Sequence, residues 1–211
     1  MEIEFDNVYK CIAGKPILKD INYKFFGGKI YGLRGKNGCG KTMLMRSIAG
    51  LMKPTNGRIL INKKELYKDI EIPDSIGVLI ENPAFLPEYS GFKNLKYLAD
   101  IKNQITEEEI RCVLNKVGLD SNDKRIVRKY SLGMKQKLGI AAAIMEKPSI
   151  VLLDEPINAL DESGVEKVKK CIMDLKEDNR IIIVACHDRD ELNYLSDTII
   201  LMSEGKIIGE E

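Results

Sequence analysis

The residues Gly35-Lys36-Asn37-Gly38-Cys39-Gly40-Lys41-Thr42 follow GxxxxGK[ST] spacing. Glycines at those positions let successive backbone N–H groups curl around a polyphosphate, and the helix that follows points its positive end at the same anion. Lys41 offers a point charge to the outer phosphates, and Thr42 a hydroxyl to Mg2+. The alternative is a glycine-rich turn with no ligand. A second group lies in Ile150-Val151-Leu152-Leu153-Asp154-Glu155-Pro156, an apolar strand ending in two carboxylates. Ligands of parallel sheets sit at that edge, where Asp154 would hold Mg2+ through water and Glu155 would polarise an attacking water. Without the phosphate loop upstream, the same two acids read as a plain helix cap. Tyr130-Ser131-Leu132-Gly133-Met134-Lys135-Gln136 precedes an Ala-rich stretch, Ala141 to Ala143, and by itself makes Ser131 a helix N-cap and nothing more.

The elements around these groups alternate in kind. Asp20 to Phe25 alternates apolar and polar residues like a half-buried strand, Gly27-Gly28 turns the chain, and Lys29 to Leu33 is a second strand. From Thr42 to Met52 the pattern becomes helical, with Leu44, Ile48 and Leu51 on one face and Pro54 as the stop. A small strand pair is expected around Ile59-Leu60-Ile61, turning at Asn62-Lys63-Lys64. The stretch from about Pro83 to Met145 is rich in Lys, Glu and Leu and reads as helical throughout. In it, Thr106 with Glu109 forms a capping box for a helix ending near Gly118. Ile150 to Leu153, Ile181 to Cys186 and Thr198 to Met202 are continuous apolar runs, the mark of parallel strands buried on both faces, with a helix over about Glu162 to Lys176 between the first two. The layout is α/β, with a helical lobe inserted and a mainly antiparallel N-terminal piece.

Composition narrows the function. The 211 residues suit one domain with an insertion. Lys plus Arg is 33, Asp plus Glu is 32, and the net charge is +1, so no nucleic-acid partner is expected. The apolar runs are far below the ~18 residues of a membrane helix, and Met1-Glu2-Ile3-Glu4 does not open a signal peptide. A chain confined to the cytoplasm is therefore expected. The five cysteines are odd in number, have no CxxC spacing and meet a single histidine, which argues for reduced thiols and against a zinc site.

Taken together and in order, these motifs resemble the nucleotide-binding subunit of ATP-binding cassette (ABC) transporters over nearly the whole chain. The phosphate loop runs from Gly35 to Thr42 and the signature from Ser131 to Gln136. Asp154-Glu155 is similar to the family's second nucleotide motif, Asn158-Ala159-Leu160-Asp161 to its D-loop, and the lone His187 to its switch histidine. The resemblance implies a P-loop NTPase with a RecA-like parallel sheet core and an antiparallel β subdomain at about 1–82 and 146–211, and an inserted helical subdomain at about 83–145. It implies Mg2+-dependent ATP hydrolysis, with Lys41, Glu155 and His187 catalytic, Gly35 to Thr42 with Ser131 and Gly133 binding ATP, and Thr42, Asp154 and Glu81 near the metal. In that family two subunits sandwich two ATP molecules, the phosphate loop of one facing the signature of the other. The resemblance therefore implies a homodimer or heterodimer of ATPase subunits, a separate transmembrane permease, and a place on the inner face of the cell membrane held through that partner. The rivals are a soluble ABC-type ATPase acting in regulation or on nucleic acid or the ribosome, and another P-loop enzyme such as a small-molecule kinase.

Departures from the family pattern sharpen the reading. Leu132 and Met134 replace residues of the usual Leu-Ser-Gly-Gly-Gln, and Glu81 stands where the lid loop usually has Gln; both are similar to the bacitracin- and lantibiotic-export branch. Glu81 would then tighten metal dependence, or stay turned away until closure. The aromatic that stacks on adenine falls near Ile12, with Tyr9 as a substitute. Phe85-Leu86-Pro87 would either pack inside the helical lobe or dock a cytoplasmic helix of the permease. Cys39, at a helix N-terminus, is expected to be reactive, so that alkylation blocks ATP binding.

Overall fold

The computed structural model describes residues 1–177 and 179–211. Two sheets organise it. Strands β1 (Glu2–Ile12), β2 (Lys15–Phe26), β4 (Asn56–Ile61) and β5 (Lys64–Glu65) make an antiparallel sheet in the order β2-β1-β4-β5. Strands β3 (Lys29–Arg34), β6 (Ile76–Leu79), β7 (Ile150–Asp154), β8 (Ile181–Ala185), β9 (Thr198–Ser203) and β10 (Lys206–Glu210) make the second, ordered β10-β9-β3-β8-β7-β6. All its neighbours run parallel except β9 with β10.

Alternation within the parallel strands builds two cores. Ile150 and Leu152 of β7, and Ile181, Ile183 and Ala185 of β8, face the antiparallel sheet and α1 (Lys41–Ile48). Val151, Leu153, Ile182, Val184 and Cys186 face the other way, against α2 (Gly91–Lys102), α3 (Glu107–Lys116), α4 (Leu132–Ile144), α5 (Glu162–Met173) and α6 (Arg189–Leu195). This is why those strands are apolar at every position: neither face meets water. The helices of 83–145 therefore share a core with one face of the sheet. The closest approach is α4 on β6, where a Cβ on Gly77 would run into the main chain of Ala143.

Several expectations are met. The capping box of α3 is present in both directions: the Thr106 side chain accepts from the Glu109 N–H, and the Glu109 carboxylate accepts from the Thr106 N–H at 3.0 Å. Gly118, just past that helix, takes φ +80. Others need correction. The helix after the phosphate loop ends at Ile48, because Gly50 at φ +71 turns the chain into the left-handed region before Pro54 is reached. Leu51 thus lies beyond the helix and is 63% exposed rather than on its buried face. The 83–145 stretch is not helical throughout: 83–90 and 117–131 are loops and turns, apart from a single 3-10 turn at Val127–Lys129. Helix α5 ends at Met173, short of Lys176.

Candidate functional site

Four neighbouring strands deliver the chemistry to one edge. The phosphate loop leaves the carboxyl end of β3, His187 follows β8, Asp154 and Glu155 end β7, and Glu81 follows β6. Their side chains, with Asn37, Gly38, Gly40, Lys41, Thr42 and Met43, line one cleft of about 410 Å3. Among the expected ligand residues, Gly35, Lys36 and Cys39 lie behind the loop, around a separate depression beside Leu201 to Glu204. Gly40 holds φ +110, open to glycine, and hands the chain directly into α1, whose N–H groups open toward the cleft.

Inside the cleft the polar groups are already engaged. Lys41 is buried and its Nζ donates to the Gly35 carbonyl at 2.7 Å, so the loop is closed around its own cation. Thr42 Oγ1 donates to Asp154 Oδ2 at 2.6 Å, placing two hard oxygens side by side. That donor set fits Mg2+, which takes a hydroxyl or carboxylate plus phosphate oxygens and water. Glu155 is different. His187 Nε2 stands 2.9 Å from its Oε1, yet among the described residues neither carboxylate oxygen has an aligned hydrogen bond and both are screened from solvent. Burial pushes the Glu155 carboxyl above the usual glutamate range, the nearby Asp154 adds to this, and His187 and Lys41 oppose it. A desolvated carboxylate with an imidazole nitrogen beside it is placed to accept a proton from water.

Glu81 lies at the rim of the cleft in a left-handed conformation (φ +60), and its Oε1 pairs with Arg46 Nη2 of α1 at 2.8 Å. Ser131 and Gly133 are not brought to the cleft at all. Ser131 caps α4 by accepting from the Met134 N–H at 3.1 Å, and the neighbouring Leu132 is 63% exposed. A Cβ on Gly133 would stand 2.7 Å from the Ala159 carbonyl, so this turn packs on the segment just after Glu155.

Two expectations change here. Neither Ile12 nor Tyr9 lines the cleft; besides Met43 the apolar residue that does is Ile17, carried on β2 where the hairpin folds over the loop and its carbonyl approaches Gly40. No sequence signal marked Ile17, because a lone β-branched residue in a strand looks like any other. Cys39 is only 6% exposed and packs in the core beside Met202, so its thiol is shielded from alkylating reagents instead of being the reactive group expected. Phe85 packs against the helical core while Leu86 stays exposed, so the apolar turn divides between the two roles weighed for it.

Comparison with known proteins agrees with this architecture. The sequence profile of the ABC transporter family matches residues 18–158. The chain is 44% identical over 205 residues to the uncharacterized ABC transporter ATP-binding protein YybJ of Bacillus subtilis, covering 97% of this chain and 94% of that one. It is 36% identical to the lantibiotic transport ATP-binding protein SrtF of Streptococcus pyogenes, over 99% of this chain and 90% of that one. It is 35% identical to the bacitracin transport ATP-binding protein BcrA of Enterococcus faecalis, over 99% and 68%. Among solved structures, the dimeric ATP-binding cassette MJ0796 in a post-hydrolysis state with ADP and phosphate shares the fold at TM-score 0.88 and 23% identity, over 99% of this chain and 97% of that one.

Proposed function

Because this chain belongs to the ABC transporter family, as one of its ATP-binding and ATP-hydrolysing subunits, we propose that it powers export of a peptide antibiotic or similar amphiphile through a separate transmembrane permease. No described helix is long and apolar enough to cross a membrane; the pore is assigned to the permease as part of this proposal. The subunit would sit in the cytoplasm on the inner face of the membrane. The cargo class rests on relatives named for bacitracin and lantibiotic transport.

In the proposed site, Asn37 to Thr42 cradle the ATP phosphates, Lys41 neutralises their charge, and Thr42 and Asp154 hold Mg2+. The metal supplies charge neutralisation on the transferring phosphoryl group. Glu155 takes a proton from the attacking water, and His187, beside it, orients that water and the terminal phosphate. Glu81 joins the metal side only after parting from Arg46. Ser131 and Gly133, outside the lining of this cleft, address the ATP of a second cassette, identical or related. Closure of the pair would aim the α4 N-terminus at that ATP and exclude water. Residues 1–82 and 146–211 grip nucleotide, whereas 83–145 carry the signature and the permease contact. For that contact, a groove of about 460 Å3 lined by Tyr89, Phe92, Lys93, Arg111 and Ile126 lies next to exposed Leu86.

The observation that carries this reading is the separation of Ser131 from a cleft that is otherwise assembled. The test is a tagged Glu155→Gln chain purified from membranes with ATP. It should bind ATP, barely hydrolyse it, elute as a dimer only when ATP is present, and bring a membrane protein with it. The same elution with and without ATP would defeat the paired arrangement. Leu86→Asp with Tyr89→Ala should lose the membrane protein and keep soluble ATPase activity.

A further inference from the structure

We propose that Gln136 is a positioning residue for hydrolysis, fastening the main chain of Glu155 to the helix whose first turn serves a second subunit's ATP. The inference rests on the site assignment above.

Three observations carry it. First, Gln136 is 9% exposed and its Nε2 donates to the Glu155 carbonyl at 2.8 Å. A carbonyl can only accept, so the amide group must face it and the side chain is held in one orientation. Second, Glu155 sits at φ +51, a left-handed conformation that a residue with a Cβ adopts only when its surroundings impose it. Its N–H is tied to the Ala185 carbonyl of β8 at 2.8 Å, and its carbonyl takes the Asn158 N–H at the longer distance of 3.3 Å. Gln136 is therefore the shorter of the two ties on that carbonyl, and the only side chain among the described residues that holds the Glu155 backbone. Third, the tie is anchored. Helix α4 lies hard against the sheet at Gly77, and a Cβ on Gly139 would stand 2.8 Å from Leu79 Cδ1. Two turns earlier the same helix begins at Ser131. A displacement of that first turn on meeting a partner's phosphate is thus passed through one side chain to the general base of this chain's own site.

The same Gln could be a structural group that merely satisfies a buried carbonyl. The two roles differ in what they spare. The experiment compares wild-type chain with Gln136→Met, which keeps length and loses the donor, and Gln136→Leu, which loses the donor in a branched apolar side chain. With Mg2+ and ATP, kcat should fall about 10–100-fold in both variants, the size expected for a displaced catalytic group, with KM for ATP within about twofold of wild type. In a Glu155→Gln background, Gln136→Met should leave ATP-dependent dimerisation unchanged, since Ser131 and its cap are untouched. A kcat within about twofold of wild type in either folded variant overturns the inference. So does loss of the dimer together with a proportional rise in KM, which would place the damage in the helix instead of at Glu155. A wild-type chain that binds ATP but never hydrolyses it would overturn the site assignment, and this inference with it; full activity in the variants overturns this inference alone.

Discussion

The phosphate loop and the signature turn are both helix N-termini, and the chain treats them in opposite ways. At the loop, Lys41 is folded onto the Gly35 carbonyl and Thr42 onto Asp154, so charge and hydroxyl are held at the cleft before any ligand arrives. At the signature, Ser131 uses its oxygen on its own helix while Leu132 projects into solvent. The first is a finished half-site. The second presents a capped helix end and an exposed apolar residue at the surface. Under the proposed function, that difference assigns ATP affinity to the single chain and turnover to the pair.

Variants can separate the two. The largest effect is expected for Glu155→Gln: loss of hydrolysis by about a thousandfold or more with ATP binding kept, read by phosphate release and a fluorescent nucleotide titration. Next, Ser131→Arg should lower kcat about a hundredfold and abolish the ATP-dependent dimer, while the affinity of the single chain for ATP stays within about twofold. If affinity falls equally, the signature belongs to the first half-site after all. The acid limb of the pH–kcat profile should lie above the usual glutamate range, because burial favours the protonated Glu155 carboxyl and only the ionised form accepts a proton. Freeing Glu81 by Arg46→Ala should change the Mg2+ requirement by about threefold, a small effect because the pair is largely exposed. The smallest effect is on stability. A raised folded-state value means the folded chain binds the proton more readily than the unfolded one, so stability falls as pH rises through that window. Removing the charge with Glu155→Gln should therefore raise the melting temperature at neutral pH, by about 1–3 °C.

Thiol labelling offers an independent check on burial. Only Cys11 and Cys112 are exposed, and burial pushes the Cys171 and Cys186 thiols up to about 11. Iodoacetamide should modify two thiols in the native chain and all five after denaturation, counted by mass.

How much of this was legible in the sequence follows from where each residue faces. The strands β7, β8 and β9 were readable because burial on both sides leaves only apolar choices. The first strand, β1, was missed: it starts in register with Ile3 and Phe5 inward, but Asn7 takes φ +49 and the pairing shifts before Val8, so the period-two pattern breaks in the middle. The short β6 has only Ile76 to Leu79, with Gly77 admitting α4, and gives too few positions for a pattern. In the site, the loop and the two carboxylates could be read because their spacing is local. Ile17, the Arg46 pairing of Glu81 and the reach of Gln136 depend on contacts far apart in the chain, and nothing in a linear pattern encodes those.

The alternating side chains of β7 and β8 have one more effect. These strands form a bulkhead between two compartments of apolar packing, one wrapped around the nucleotide grip and the other around the helices. Swapped volumes in the helical compartment are walled off from the grip by these strands, and the direct ties between the two lie at the strand ends, where Gln136 holds the Glu155 carbonyl and the Gly133 turn packs on Ala159. Such a build lets the packing of the helices change in one core while the residues around the nucleotide cleft keep theirs in the other.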